Sequence, residues 1–399
     1  MRRILFVDDE AAVLEGLRNA LRKNRKRWDM VFVTGGEDAL SALRAAPFDV
    51  VVSDMRMPGM DGPALLSRVR EEFPAVARLV LSGHAEQAVM LRALPLAHQY
   101  LSKPCDIGLL TTTLERTCEL KAIVSNDALR IVMGAIDKLP SPPAIFWDLN
   151  AALAKAETSI ADIALIIERD PATSARVLRF VNAACFGLSR QITAIPQAVS
   201  YLGIELIRNL VLTAHLVETI KNLPPPRKIP CDILQGHALA VARVAKRIAP
   251  RELASTAFTA GLLHDVGHVV IALSLEAELD QILRTVAAGA SLVDTEREVL
   301  GFTHAEAGAY LLGLWGLPEP IVRAVAHHHS PARAGDTGLG LAGLVHVSEV
   351  LAESVAKSGA VAALHGSRGP QIDEAWLASV GGATSFDRWR ALAEEELSR

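Results

Sequence analysis

The stretch "RILFVDD", Arg3 to Asp9, is a run of four apolar residues that stops at two adjacent acids. So short an apolar run, without polar alternation, reads as a strand buried on both faces, with the acids at its C-terminal end. The pattern repeats in "MVFVT" (30–34), "DVVVSD" (49–54), "RLVLSG" (78–83) and "QYLSKP" (99–104). Each run is followed by a segment with helical spacing: 11–23, 37–46, 62–72, 85–94 and 107–120. Alternating strands and helices over residues 1–120 predict a doubly wound α/β domain with a five-stranded parallel sheet. Its active site is expected at the C-terminal ends of the strands.

Beyond residue 120 the strand signals stop. Residues 121–135 read as a helical connector and 136–365 as an all-α domain, punctuated by "KLPSPPA" (138–144) and "NLPPPRKIP" (222–230). Residues 366–399 read as a C-terminal helical extension containing "DEAWLASVGG" and "FDRWRALAEEELSR". Asp170-Pro171 has the order of an N-cap and a first helical residue, with Gly187 as the stop. Thr303 and Glu306 form a capping box that puts His304 in the first turn of a helix.

Composition narrows the function. Of the 399 residues half are hydrophobic, and the net charge of -4 argues against generic polyanion binding and direct DNA binding. The basic run Arg22–Arg27 and the stripe Arg243, Lys246, Arg247 and Arg251 read as solvated helix faces. Cys105, Cys118, Cys185 and Cys231 form no C-x-x-C pair, which suits a reducing cytoplasm. The most apolar stretch, 257–275, is interrupted by His264, Asp265 and His268 and makes a poor membrane span.

Two constellations carry chemistry. Asp8 and Asp9 follow the first strand, Asp54 the third, Ser82 the fourth and Lys103 the fifth. Three converging carboxylates need a hard cation such as Mg²⁺, and a carboxylate beside Mg²⁺ attacks a phosphoryl group while a lysine and a hydroxyl stabilise the charge. "FVDDE", "VVSDMRMPGMDG", "LSG" and "YLSKP" resemble the receiver domain of two-component response regulators. The resemblance implies Asp54 as the phosphorylated residue, with Mg²⁺ held by Asp8, Asp9, the Asp54 carboxylate and the Arg56 carbonyl. It also implies Lys103 as the phosphoryl partner, Ser82 and Tyr100 as the switch pair, and a cis Lys103-Pro104 bond.

The second constellation is histidine-rich: His237, His264-Asp265, His304, the run His327-His328-His329, His346 and the carboxylate Glu349. Imidazoles with carboxylates are a favoured ligand set for Fe, Mn or Zn, and an adjacent His-Asp pair serves one metal or bridges two. The order resembles the HD superfamily of metal-dependent phosphohydrolases. "ERDPATSARVLRFVNAACFG", "GLLHDVGH" and "THAEAGAYLLGLWGLPEPIVRAVAHHHSP" are most similar to the HDOD output domain. The resemblance implies His237, His264 and Asp265 as ligands of one metal, His304 with His328 or His329 at a second, and Glu349 in place of the final aspartate.

Two further departures separate the chain from the cyclic di-GMP phosphodiesterases of that superfamily: His268 stands where they have lysine, and their Gly-Tyr-Pro segment is absent. His264 and His268 are spaced i, i+4, but Gly267 interrupts the helix, and His268 reads as a surface or cap residue. His346 reads as a core residue or as one that supports the ligands from behind. The expected protein is a cytoplasmic response regulator that meets a sensor histidine kinase and a downstream signalling protein, with a nucleotide ligand and a homodimer as further partners. The alternative is a phosphorylation-controlled HD-type phosphohydrolase acting on cyclic dinucleotides.

Overall fold

The computed structural model describes residues 2–83, 96–103, 105–123, 126, 129, 131–133, 144–153, 158–181, 192–221, 231–356 and 369–398. The helix expected over 85–94, Pro104, both proline-rich segments except Ala144, and Gly187 lie outside them. The chain divides into two compact units, Met1–Ser141 with Tyr310–Leu317, and Pro142–Ala309 with Pro318–Arg399.

The first unit holds strands β1 (Arg2–Val7), β2 (Trp28–Val33), β3 (Val50–Asp54), β4 (Ala77–Gly83) and β5 (Gln99–Lys103). They form one parallel sheet in the order β2-β1-β3-β4-β5, and each of the apolar runs read from the sequence is one of these strands. Helices α1 (Ala11–Ala20), α2 (Gly36–Ala45), α3 (Gly62–Glu72) and α4 (Ile107–Ile123) alternate with them. Ile4, Leu5, Val50, Val51, Leu79 and Val80 are wholly buried, as a strand with helices on both faces requires. The register aligns Val7 with Ser53, and Asp54 with Leu81, so the acids gather at one end of the sheet. Gly62 keeps that end compact: a Cβ there would lie 2.3 Å from the Asp54 carbonyl oxygen. Asp61 caps α3 by accepting the Ala64 N–H at 2.9 Å.

The second unit is helical. Its first part comprises α5 (Ala144–Leu153), α6 (Ile160–Glu168), α7 (Pro171–Val181), α8 (Ile195–Leu202) and α9 (Ile204–Lys221). Helix α7 begins at Pro171, as the Asp170-Pro171 pair predicts. Leu149, Ile163, Val177, Val199 and Ile207 share a core with Ala242 and Phe258 of the next two helices, α10 (Cys231–Ile248) and α11 (Ala254–Leu263).

There follow α12 (Val266–Ser274), α13 (Glu276–Ala287), α14 (Leu292–Leu300), α15 (His304–Leu314), α16 (Glu319–His327) and α17 (Gly340–Ala356). The end of the chain forms α18 (Glu374–Ser379) and α19 (Phe386–Leu397). Helix α10 packs against α11, α17 and α19.

Two expectations need correction. The stripe on α10 is not simply a solvated face: Arg243 is salt-bridged to Glu396 at 3.2 Å and Arg247 to Glu395 at 3.2 Å, because the acidic end of α19 covers them. His268 is not a surface cap: it is 1% exposed. Ala254–Ser274 is apolar enough to cross a membrane by composition, yet 83% of its apolar window is buried inside the unit.

Candidate functional sites

At the C-terminal edge of the sheet Asp8 and Asp54 are buried, whereas Asp9 and Arg56 are exposed. The Lys103 ammonium donates to Asp8 Oδ2 at 2.8 Å and to Asp54 Oδ1, so one cation spans the first and third strands. Burial disfavours that charge, but the hydrogen bonds to Asp54 and Asp8 outweigh it and hold the Lys103 pKa above its ordinary value. The Arg56 N–H donates to the second Asp54 oxygen at 2.7 Å, and the Glu10 N–H to Asp8 Oδ1 at 3.0 Å. Ser82 pairs in register with Ser102 near the end of β4, and Tyr100 on β5 is buried. The buried Asp8 and Asp54 beside the exposed Asp9 form a carboxylate set that suits a small hydrated cation.

The second site is built where α11 breaks. Helix α11 ends at Leu263, and α12 starts at Val266, so His264 and Asp265 occupy the junction. Close packing fixes that junction. A Cβ on Gly261 would lie 2.9 Å from Ala242 Cα of α10, and one on Gly267 would lie 1.8 Å from the His304 carbonyl oxygen. Only glycine lets α12 rest directly on the start of α15. The capping box holds that start: the Thr303 N–H donates to Glu306 at 2.9 Å, and the Glu306 N–H to Thr303 Oγ1 at 3.3 Å.

Asp265 lies at the centre. Its Oδ2 is 3.1 Å from His264 Nε2 and 3.6 Å from His237 Nε2; its Oδ1 is 3.5 Å from His304 Nε2, 3.9 Å from His328 Nε2 and 4.0 Å from His268 Nε2. Glu349 joins His237 and His264 on the first side, and His329 joins His304 and His328 on the second. All of these side chains are buried except His329, which is 14% exposed.

The rings are held so that their Nε2 atoms face inward. The Nδ1 atom of His264 is 2.7 Å from the Gly261 carbonyl, that of His328 is 2.7 Å from the Val325 carbonyl, and that of His304 is 2.7 Å from Glu296 Oε2. An N–H on each Nδ1 satisfies these acceptors and leaves an Nε2 lone pair for the centre.

The electrostatics describe a site short of positive charge. Burial opposes a charge on His264, but Asp265 and Glu349 raise its pKa to about 9, and Asp265 itself is held well below the usual carboxylate range by its imidazole neighbours despite burial. Burial pushes Glu349 up to about 8 and Glu296 well above the usual range. Burial, reinforced by neighbouring histidines, takes His328 down to about 3 and His304 well below the ordinary imidazole value. Buried carboxylates without a cation cost several kcal/mol each, and here protons must supply the compensation.

A metal fits the arrangement. Donors about 2.1 Å from one ion stand about 3.0 Å apart in an octahedron and about 3.4 Å apart in a tetrahedron. The 3.1 to 3.6 Å distances from Asp265 to His264, His304 and His237 fall near that range. His264 Nε2, His328 Nε2 and both Asp265 oxygens are buried without a hydrogen-bond partner among the described residues. The residues singled out in the sequence are thus brought together, with Asp265 placed to bridge. His346 lies behind the centre, against the His328 backbone, and its Nε2 accepts the Asp373 N–H at 3.0 Å.

Glu296 escaped the sequence reading. It sits on the buried face of α14 with Leu292 and Thr295, and a carboxylate on an apolar stripe was the available signal. A cleft of about 340 Å³ opens beside His329, lined also by Ser291, Asp294, Ser330 and Gln371. None of its described lining residues is a lysine or arginine.

Comparison with known proteins identifies the two domains. Residues 4–115 match the response regulator receiver domain, and residues 139–331 match the HDOD domain. An uncharacterized protein of Treponema pallidum is 26% identical over 198 residues, covering 49% of this chain and 38% of that protein. The sensor kinase CckA of Brucella abortus is 35% identical over 120 residues, covering 29% of this chain and 12% of the kinase. The chain spans less than half the length of these curated relatives. The crystal structure of an HDOD domain protein of unknown function from Geobacter sulfurreducens is 25% identical, covering 69% of this chain and 99% of that one with a TM-score of 0.50. The chain therefore has the architecture of a two-component response regulator, a receiver domain followed by an HDOD output domain.

Proposed function

We propose that Asp54 is the phosphoacceptor of this response regulator and that its phosphorylation redirects the HDOD domain, whose output is a protein or ligand contact. The carrying observation is the Lys103 ammonium bonded to both Asp8 and Asp54 at the strand ends. An Asp54 oxygen attacks the phosphorus of the donor, the donor's leaving group departs, and Lys103 balances charge on the transferred oxygens. Mg²⁺, held by Asp8, Asp9, the Asp54 carboxylate and the Arg56 carbonyl, would supply the remaining charge neutralisation. Ser82 and Tyr100 serve as the switch pair that reports the added charge.

The donor is a sensor histidine kinase, a reading supported by the receiver family match and by the likeness to the receiver-sized segment of CckA. The test is labelling by acetyl phosphate or a cognate kinase with Mg²⁺: the wild-type chain takes up phosphoryl and Asp54→Ala does not. Labelling that survives in Asp54→Ala removes Asp54 from this role.

The second reading, a phosphorylation-controlled metal phosphohydrolase, is favoured by the Asp265-centred ligand set. Fe, Mn or Zn held there would polarise a phosphate ester or activate water. The cleft beside His329 weighs against a dianionic substrate, because its described lining offers no lysine or arginine for the phosphates. Turnover of a cyclic dinucleotide by the metal-loaded chain, lost in His264→Ala, would establish the enzyme reading. Binding with the ligand recovered intact would establish a sensor.

A further inference from the structure

We infer that the cleft beside His329 is the route by which a divalent metal ion reaches the Asp265 centre, and that Glu353, which belongs to neither side of that centre, is the carboxylate that draws the ion inward. The inference rests on the metal reading of the centre and adds to it how the ion arrives.

A centre this deeply buried has to be reached. His237, His264, Asp265, His304, His328 and Glu349 are all buried, and His329 alone of the set is 14% exposed. His329 is also the member that lines the cleft. Its Nε2 is 2.9 Å from His304 Nε2 and its Nδ1 is 3.6 Å from Glu349 Oε2, so its ring closes the inner end of the cleft against both sides of the centre. His329 stands past the end of α16, and its ring can turn aside without moving a helix.

The cleft has the chemistry of a cation path. Ser291, Ser330 and Gln371 offer oxygen atoms, Asp294 offers a carboxylate, and none of the described lining residues is a lysine or arginine. Oxygen donors of this kind replace the waters of a hydrated divalent ion stepwise. A volume of about 340 Å³ has room for such an ion with roughly six waters, which fill about 180 Å³ at about 30 Å³ each.

Glu353 stands between the cleft and the centre. On α17 it follows Glu349 by one turn, so the two carboxylates share a face of that helix. Gly369 of the cleft wall lies against it: a Cβ on Gly369 would be 3.5 Å from Glu353 Cγ and 3.9 Å from its Oε1. The Asp265 charge is felt at Glu353, and the Glu353 charge at Glu349. The side chain is half-buried, yet its Oε2 is buried without a hydrogen-bond partner among the described residues. A carboxylate oxygen turned inward and unpaired is costly, and a passing cation gives it a partner.

The wall on the Gly369 side is fixed to the same helix. The Asp373 N–H donates to His346 Nε2 of α17 at 3.0 Å, and the Asp373 carboxylate accepts the Trp376 N–H at 2.9 Å. Trp376 fills the notch at Gly343 of α17, where a Cβ would collide with its ring. This wall lies beyond residues 139–331, the span that matches the HDOD domain, so the route is completed by the C-terminal extension.

The test is the rate at which the folded, metal-free, full-length chain takes up Co²⁺, followed by visible absorption. Release is followed after addition of a chelator, and affinity by equilibrium dialysis. The wild type is expected to load in the folded state, faster than it unfolds. Gln371→Trp narrows the cleft from an exposed position and slows uptake and release alike, by about tenfold or more, without changing the affinity. Glu353→Gln keeps the shape and removes the charge: uptake falls about tenfold, the difference shrinks at high salt, and Glu353→Asp restores most of the rate.

Equal slowing in both directions separates a route from a ligand, because a lost ligand speeds release. Gln371→Trp and Glu353→Gln chains that load as fast as the wild type overturn the inference and leave the metal reading standing. The same holds for a Gln371→Trp chain that releases cobalt faster, and for a wild type that takes up cobalt only when refolded in its presence. A wild type that binds no cobalt by either procedure overturns both.

Discussion

The two sites of this molecule hold charge in opposite ways. In the receiver domain the carboxylates stand at strand ends, one lysine neutralises two of them, and Asp9 and Arg56 remain exposed to solvent. In the helical domain Asp265, Glu296 and Glu349 are buried among six imidazoles, and only His329 reaches the surface cleft. A cation entering the first cluster would still meet solvent beside Asp9, whereas one leaving the second would leave buried carboxylates uncompensated.

That contrast breaks most readily at Asp265. Asp265→Ala removes the group that faces both sides of the centre, and any transition metal that elemental analysis finds in the wild-type chain is expected to be lost. Phosphorylation of Asp54 in the same chain stays at the wild-type level. A variant that kept its metal would mean that the two sides are not bridged.

Next in size is Gly267→Ala. The new methyl group would lie 1.8 Å from the His304 carbonyl oxygen, so α12 and α15 must separate. Overpacking of this kind costs about 3 kcal/mol, seen as a lower midpoint in urea, and it weakens metal binding on the His304 side. An unchanged midpoint would show that the helices are not in backbone contact there.

The smallest effect is expected from Glu296→Gln. The amide oxygen still accepts from His304 but carries no charge toward its ring, and the second-side metal binds about tenfold more weakly. Isothermal titration calorimetry measures this directly, and wild-type affinity in the variant would remove Glu296 from its positioning role.

The same contrast explains what the sequence discloses. The convergence of Asp8, Asp54 and Lys103 was legible because each stands at the end of an apolar run, and a parallel sheet brings such ends together by necessity. The strand ending in Val7 and the one ending in Asp54 become neighbours through sheet order alone. The helical centre was legible only through its motif residues. His237, His264, Asp265, His304, His328, His329 and Glu349 do meet, but nothing in helical spacing dictates that α10, α15 and α17 converge on the break after α11.

His268 and Glu296 show what was lost. His268 looked peripheral because Gly267 signals a helix end. The structure uses that glycine instead for backbone contact with α15, and the contact buries the histidine. Glu296 is eight residues before His304 and on another helix, so its link to the site is tertiary.

The central claim is that a phosphoryl group on Asp54 is read by the helical domain. Hydrogen exchange of the full-length chain, with and without acetyl phosphate and Mg²⁺, tests it most directly. The account predicts altered protection in peptides from residues 231–356 of the wild type, and none in Asp54→Ala. Receiver peptides that respond while those helical peptides do not would contradict it.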